Sequence, residues 1–191
     1  MTKFKNFSDD ELISLSKKGD ERAFTVLFNR YKSVVQSFAS KLCRDAIKAD
    51  ESFQDTFLNV YNKIHQFNGR SKFSTWLYAI VANNCRMKNR KTKLQLNIAT
   101  IDINDEDENN FIASKENPFE IVANSELKSK LENAISKLPA EYKMVFLLRD
   151  VEMVSGNETA KILKISSASM KSRLHRAREM MQKELLPFYK K

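Results

Sequence analysis

Only three glycines (Gly19, Gly69, Gly156) and three prolines (Pro118, Pro139, Pro187) interrupt 191 residues. These are the residues that most readily end a helix or turn a chain, so their scarcity leaves long unbroken stretches and argues against a turn-rich β protein. An all-α fold is the expected class. Hydrophobic residues make up 42% of the chain, enough for the core of one domain or of two small ones.

Four helices are predicted in residues 1–95. Ser8 followed by Glu11 is a capping box, with Leu12, Ile13 and Leu15 behind it before Gly19-Asp20 interrupts. From Asp20 onward Ala23, Phe24, Leu27, Phe28, Tyr31, Val34, Val35, Phe38, Ala39 and Leu42 hold helical spacing, which predicts the longest helix of this half. The third covers residues 45–65. Its Ala46, Ala49, Phe53, Phe57, Val60, Tyr61 and Ile64 fall on one side at about 100° per residue and are expected to be buried. Glu51, Gln54, Asp55 and Leu58 face away, so Leu58 is an apolar side chain among acids and amides. Taken alone it is ordinary surface or the crest of a protein-docking ridge.

A loop then runs through Phe67, Asn68, Gly69, Arg70, Ser71 and Lys72, where Gly69 permits a tight backbone, into a fourth helix. Trp76, Leu77, Ile80, Val81 and Cys85 form its apolar pattern, and Trp76 lies in phase with that stripe, as a core residue does. Arg86, Lys88, Arg90, Lys91 and Lys93 continue it as a cationic run. Cys43 and Cys85 each sit within an amphipathic pattern and read as buried packing thiols, not as a disulfide, which fits a reducing cytoplasm. The start carries no basic-apolar-small leader, and apolar runs such as residues 144–148 are far too short to span a bilayer. A soluble, unexported chain without membrane insertion is expected.

The net charge is +9, and its distribution matters more than its total. Residues 100–126 carry eight acids against Lys115, a local charge of −7, whereas residues 1–99 carry +9 and residues 127–191 carry +7. Two basic bodies therefore flank an acidic, weakly patterned segment. That is the signature of a flexible linker, placed at residues 96–124, between domains at 1–95 and 125–191.

In the second body Leu127, Leu131, Ala134, Ile135 and Leu138 recur at core spacing, and Leu138-Pro139 starts a new helix bearing Tyr142, Val145, Phe146 and Leu148. Ser155 with Glu158 makes a second capping box, opening a short helix that carries Ala160, Ile162 and Leu163. Lys164-Ile165-Ser166 breaks the pattern, and Ser166 or Ser167 can cap the next helix. There Met170, Leu174, Ala177 and Met181 recur at intervals of four, three and four and must face a core. Lys171, Arg173, His175, Arg176 and Arg178 remain outside. A cationic helix face is commonly plain solvated surface; a capped helix, a tight turn and a second helix with its stripe buried is the arrangement that aims a helix start into a DNA groove. Ser167, Ser169, Lys171 and Ser172 lie where base edges and phosphates would be.

These residues carry a family resemblance. LPAEYKMVFLLRDVE at 138–152, followed by SxxETAxIL and KSRLHRAR, resembles region 4 of the sigma-70 family, most closely the small extracytoplasmic-function sigma factors. One departure is Lys164, where that family commonly has glycine; a left-handed residue there costs about 1 kcal/mol or more. ADESFQDTFLNVY resembles the region 2.2 helix that grips the clamp helices of RNA polymerase, with Glu51-x-x-Gln54-Asp55 in place of Asp-x-x-Gln-Glu. The resemblance implies Glu51, Gln54, Asp55 and Leu58 as polymerase contacts. Phe67, Gly69, Ser71, Phe73, Thr75, Trp76, Leu77, Tyr78, Ile80 and Asn83 match the pattern of regions 2.3 and 2.4, which open and read the −10 element. It implies Asn68, Gly69, Ser71 and Phe73 at a base pocket, and Asn83, Arg86 and Lys88 along the unpaired strand, where an extruded base needs a polar concavity and its phosphates need cations. Ser167, Ser169, Lys171, Ser172, Arg173, Arg176 and Arg178 are the corresponding −35 contacts in the major groove.

The resemblance covers roughly residues 8–93 and 125–184, in family order. It implies a non-enzymatic initiation factor whose partners are core RNA polymerase, double-stranded −35 and single-stranded −10 promoter DNA, and an anti-sigma factor. No cofactor or metal is expected: there is no GxxxxGK[ST] loop and no HExxH, and His65 and His175 stand far apart. Two rivals remain at this level. A recombinase with a C-terminal helix-turn-helix would need an activated Ser or Tyr among several arginines, and the N-terminal body is short of candidates. An operator-binding regulator would need a ligand pocket or a dimer seam there, and none is evident.

Overall fold

The computed structural model describes residues 4, 6–43, 45–96 and 118–189, with side chains described up to 88 in the first body and from 126 in the second. Eight α-helices make up the described fold, and no strand occurs among those residues. The acidic stretch read as a linker lies mostly outside them. Its last part does not: a helix already runs over Pro118–Lys137, beginning on the proline, which suits a first helical turn.

In the first body α1 covers Asp9–Lys17, α2 Glu21–Leu42, α3 Ala46–Lys63 and α4 Phe73–Leu96. Starts are set by side chains that satisfy free amides. Ser8 and Glu11 form the reciprocal capping box, Asp20 accepts from Arg22 and Ala23, and Asp45 accepts from Ile47 and Lys48. Gly19 ends α1 with φ +89, a value that costs glycine little. A 3-10 turn at Ile64–Gln66 closes α3 and leads into the loop before α4.

α2 is the central element, packing on α1, α3 and α4. Its Leu27, Val35, Phe38 and Ala39 are at most 1% exposed, as the heptad-like spacing requires. Around them lies an aromatic cluster in which Phe28 meets Phe57 at 4.5 Å edge-on and Phe38 meets Tyr78 at 4.7 Å. Asp9 ties α1 to α2 by accepting from both Arg30 and Tyr31.

Two expectations change in this body, the first of them on α3. Ala46 is exposed and Tyr61 is half-exposed, touching Phe24 edge-on, while Ser52 and Thr56 are fully buried. The buried face is rotated because α3 lies in the angle between α2 and α4, and small hydroxylated residues allow the close approach. Thr56 satisfies its hydroxyl by donating to the Ser52 carbonyl at 2.6 Å, and Asn84 of α4 donates to Thr56 at 3.1 Å. The second correction concerns the cysteines. They are buried, at 5% and 0% exposure, but they are not separate thiols: Cys43 and Cys85 are joined in a disulfide with a Cα–Cα distance of 6.0 Å. Each lies in phase with its own helix, and pattern alone carries no information on which two helices meet at that point.

The second body contains α5 (Pro118–Lys137), α6 (Ala140–Phe146), a π-helical turn at Leu147–Val151, α7 (Gly156–Leu163) and α8 (Ser167–Tyr189). Ala134, Leu138, Val145, Leu147, Leu148, Ala160, Leu163, Met170, Leu174, Ala177 and Met181 form its core, so the α8 stripe faces inward as its spacing requires. Leu127, expected at a core position, is 44% exposed in the middle of α5.

Lys164 terminates α7 in the left-handed region (φ 55, ψ 46), with its amide donating back into the helix. Met153, which follows the π-helical turn, is also left-handed (φ 52) and is 78% exposed. Neither side chain repays the backbone cost by burial. Lys164→Gly and Met153→Gly are each expected to stabilise the body by about 1 kcal/mol, raising the denaturation midpoint without changing the slope. Chemical denaturation followed by circular dichroism reads this directly.

Candidate functional site

α3 presents an outward row built by helical spacing. Glu51, Gln54 and Leu58 are exposed and Asp55 is half-exposed, with Leu58 at 63%. The row stays polar around one apolar crest because the opposite face carries Ser52, Thr56, Phe57 and Val60 into the core. Lys88, which reaches over from α4, bonds Glu51 at 2.7 Å and Asp55 at 3.0 Å. Burial by itself would lower the Lys88 pKa, but the two carboxylates more than offset this and hold it above its usual value. Lys88 was expected on the −10 strand. In this structure it clamps α4 to the acidic row of α3 and leaves Gln54 and Leu58 at the open part of the ridge.

The loop before α4 is anchored at its start, where Lys17 donates to the Phe67 carbonyl at 2.5 Å. Asn68 accepts from the Arg70 amide at 3.2 Å and Gly69 has φ +71, an Asx turn followed by a left-handed residue. Asn68 and Gly69 are exposed, Ser71 is half-buried and Asn83 is exposed. Phe73 does not join them. It is 5% exposed, wedged against Tyr31, Phe67 and Trp76, and so is a core residue, not a base contact. Its position in the sequence motif is that of the first turn of α4, and the first turn packs inward. Trp76 is partly buried in the same cluster.

At the other end of the chain Ser166 caps α8 by accepting from the Ser169 amide at 3.1 Å, which settles the choice between Ser166 and Ser167. Ser167, Lys171 and Ser172 are exposed and Ser169 is half-buried, so the start of α8 is open to solvent over its buried stripe. The arginines further on are engaged by acids and a phenol that sequence reading passed over. Arg173 pairs with Glu141 at 3.2 Å, Arg176 donates to the Tyr142 hydroxyl at 3.3 Å, and Arg178 makes a two-point bond to Asp150 at 2.7 and 2.8 Å. The bond to Asp150 raises the Arg178 pKa, and that to Tyr142 raises the Arg176 pKa. These contacts fix α8 on α6 and the π-helical turn. The pairing of the α8 arginines with Glu141, Tyr142 and Asp150 gave no local signal, since Arg176 and Tyr142 are 34 positions apart and Arg178 and Asp150 28.

The two bodies touch. Tyr78 of α4 donates its hydroxyl to Glu152, beside the helix-turn-helix, and burial followed by that carboxylate pushes the phenol pKa up, so the proton stays in place. Arg86 donates to the Leu163 carbonyl at 3.4 Å, at the end of α7. Arg86, expected on the −10 strand, is thus turned toward the second body. Among the described residues no cluster of His, Cys, Asp and Glu could hold a metal ion, and no helix is long and apolar enough to cross a membrane.

Residues 27–94 match the family model for Sigma-70 region 2, and residues 128–181 match that for Sigma-70, region 4. The chain is similar to the ECF RNA polymerase sigma-E factor of Haemophilus influenzae, at 31% identity over 187 residues, 94% of this chain and 96% of that one. It is also similar to the ECF RNA polymerase sigma factor SigW of Bacillus subtilis, at 30% identity over 172 residues, covering 88% and 92%. Among solved structures, the sigma factor RpoE of Bartonella quintana, crystallised with the anti-sigma factor NepR, has the same fold, with a TM-score of 0.69, 21% identity and coverage of 85% and 96%. CnrH, solved with the cytosolic domain of CnrY, superposes with a TM-score of 0.62 at 22% identity, covering 93% and 96%.

Proposed function

Since the chain belongs to the sigma-70 family, in its extracytoplasmic-function branch, we propose that it divides promoter recognition between its two bodies, one on the −10 element and polymerase, the other on the −35 element. Sigma factors are non-enzymatic initiation factors that work with RNA polymerase on promoter DNA. Two basic helical bodies in family order on one chain are the observation that carries the finer reading.

α3 docks on core polymerase through Gln54 and Leu58 at the crest, with Glu51 and Asp55 as its charged flank. A leucine 63% exposed among polar neighbours is a free anchor for a partner's pocket. The loop with Asn68, Gly69 and Ser71, together with Asn83, captures unpaired bases of the −10 element, and strand opening is driven by preferential binding of unpaired over paired bases. The open start of α8 enters the major groove at the −35 element, with Ser167, Ser169, Lys171 and Ser172 nearest the DNA. Arg173, Arg176 and Arg178 hold the helix in place and lend positive potential. The touching bodies part on the promoter, which frees Arg86 from Leu163 for the strand.

The two solved neighbours were each captured with a partner protein, and an anti-sigma partner of this chain is the corresponding proposal. Activity on polymerase inside the cell places the chain in the cytoplasm. Permanganate footprinting of the complete holoenzyme tests the assignment: reactive thymines confined to the −10 region support it, and a promoter that stays double-stranded contradicts it. A second measurement separates reader from scaffold in α8. Lys171→Ala is expected to lower the slope of log affinity against log salt by about 1 and leave the melting temperature unchanged. Arg178→Ala is expected to lower the melting temperature as well, because it breaks the two-point bond to Asp150.

A further inference from the structure

We infer that Cys43 and Cys85 form a reversible thiol–disulfide switch that governs how firmly α3 is held, and through α3 the affinity for polymerase; the last step rests on α3 being the polymerase-facing helix. The bond spans 42 positions, and the segment it closes contains all of α3, the loop of Asn68, Gly69 and Ser71, and α4 as far as Cys85. Every proposed polymerase contact lies inside that loop. A chain that works on RNA polymerase meets a thiol-reducing interior, where the disulfides of ordinary proteins are transient and redox-sensing.

The two sulfurs are not equivalent. Cys43 caps the end of α2 with an extended backbone, at the joint that leads into α3, whereas Cys85 is fixed inside α4. Cys43 is 5% exposed and Cys85 fully buried, so a reagent gains access by loosening the α2–α3 joint and meets Cys43 first. Behind Cys85 lies the buried hydroxyl of Ser52, on α3, at 3.2 Å. That hydroxyl is the donor to the Cys85 sulfur, since a disulfide sulfur has no proton to give. Ser52 is itself held in the polar row that runs through Thr56 and Asn84 to Asn59.

Reduction therefore runs in one order. A small thiolate attacks the Cys43 sulfur, the S–S bond breaks and Cys85 leaves as a thiolate; a second small thiolate then attacks the outer sulfur of the mixed disulfide and releases Cys43. Two electrons pass to the pair, a small-molecule disulfide is the oxidised product, and the cysteine sulfurs take protons from water. In the opposite direction hydrogen peroxide oxidises one cysteine to a sulfenic acid with release of water, and the other thiol displaces a second water to close the bond. The oxidised form pins the start of α3 between α2 and α4; the reduced form keeps the fold but frees the joint.

The test compares the full-length chain after peroxide and after dithiothreitol, with Cys43→Ser as a variant that cannot close the bond. Thiol labelling in denaturant is expected to find no thiols after peroxide and two after dithiothreitol. On reduction, hydrogen exchange at residues 46–52 is expected to accelerate about tenfold and core polymerase affinity to fall about three- to tenfold, with Cys43→Ser behaving as the reduced form in both conditions. Two labelled thiols after peroxide overturn the switch, as does a bond that forms without changing exchange in α3. If neither form binds core polymerase, the functional reading fails, while the thiol count and the exchange rates still decide the switch.

Discussion

Leu58→Asp is expected to abolish detectable binding of the chain to core RNA polymerase at concentrations where the parent binds fully, and Leu58→Ala to weaken it by about 30-fold, the effect of losing roughly 2 kcal/mol at an interface anchor. The fold will not register the change. Leu58 is 63% exposed, and substitutions at such positions usually alter stability by less than about 0.5 kcal/mol. The neighbouring ridge residues give a graded series. Gln54→Ala removes an exposed amide, whereas Asp55→Ala also unbalances Lys88, which then keeps only Glu51 of its two carboxylates. Gel filtration of each variant with core enzyme, alongside its melting curve, separates lost docking from lost folding. A Leu58→Asp chain that still elutes with polymerase contradicts the assignment of α3.

The second large effect is on the fold itself. Phe38 is fully buried near the end of α2 and packs against the Tyr78 ring at 4.7 Å, so Phe38→Ala removes a whole aromatic side chain from the point where α2 meets α4. Such a truncation costs about 3–5 kcal/mol, a large fraction of the 5–15 kcal/mol that holds a typical domain together. The first body is expected to melt early or to fail to fold at growth temperature, while the second, with its own core around Val145, Leu148 and Leu174, stays helical. A two-step melting curve is the expected record. Because Tyr78 also donates to Glu152, the same change loosens the contact between the bodies.

Elements that announce themselves locally were legible in the sequence. Ser8 with Glu11 and the Met170, Leu174, Ala177, Met181 stripe depend on residues within one or two turns and stand in the structure as their spacing demands. At Ser155, by contrast, the hydroxyl accepts from the Glu158 amide while the Glu158 carboxylate takes its bond from that hydroxyl and not from the backbone. The left-handed backbone at Lys164 was pointed to by the family resemblance, which puts glycine in that turn, and the structure holds Lys164 there at φ 55 and ψ 46. What escaped was contact between distant elements. Lys88 binds acids 37 and 33 positions away, Arg178 binds Asp150, and Tyr78 reaches Glu152 across 74 residues. No periodicity encodes such pairs. The buried polar row of Ser52, Thr56 and Asn84 was missed for another reason: counting apolar side chains cannot find a helix face packed through hydroxyls and an amide. Phe73 was placed at a base pocket by motif position, though its aromatic neighbours Phe67 and Trp76 within the same short stretch were the sign of a core.

This distribution has a functional sense. Apolar side chains at helical spacing build most of each body's core, and the residues proposed to meet polymerase and DNA sit on the faces left over: Leu58 and Gln54 on α3, Asn68 in the loop before α4, Asn83 on α4, Lys171 and Ser172 at the start of α8. The long-range pairs hold the charged faces in register, and the contact between the bodies occupies Arg86, a residue proposed for the −10 strand.

The most direct measurement is run-off transcription by core RNA polymerase on a promoter library, with and without the purified full-length chain. Transcripts that begin at defined sites only when the chain is present, and vanish with Leu58→Asp, are the expected result. A folded chain that binds DNA yet starts no transcript at any site would contradict the assignment.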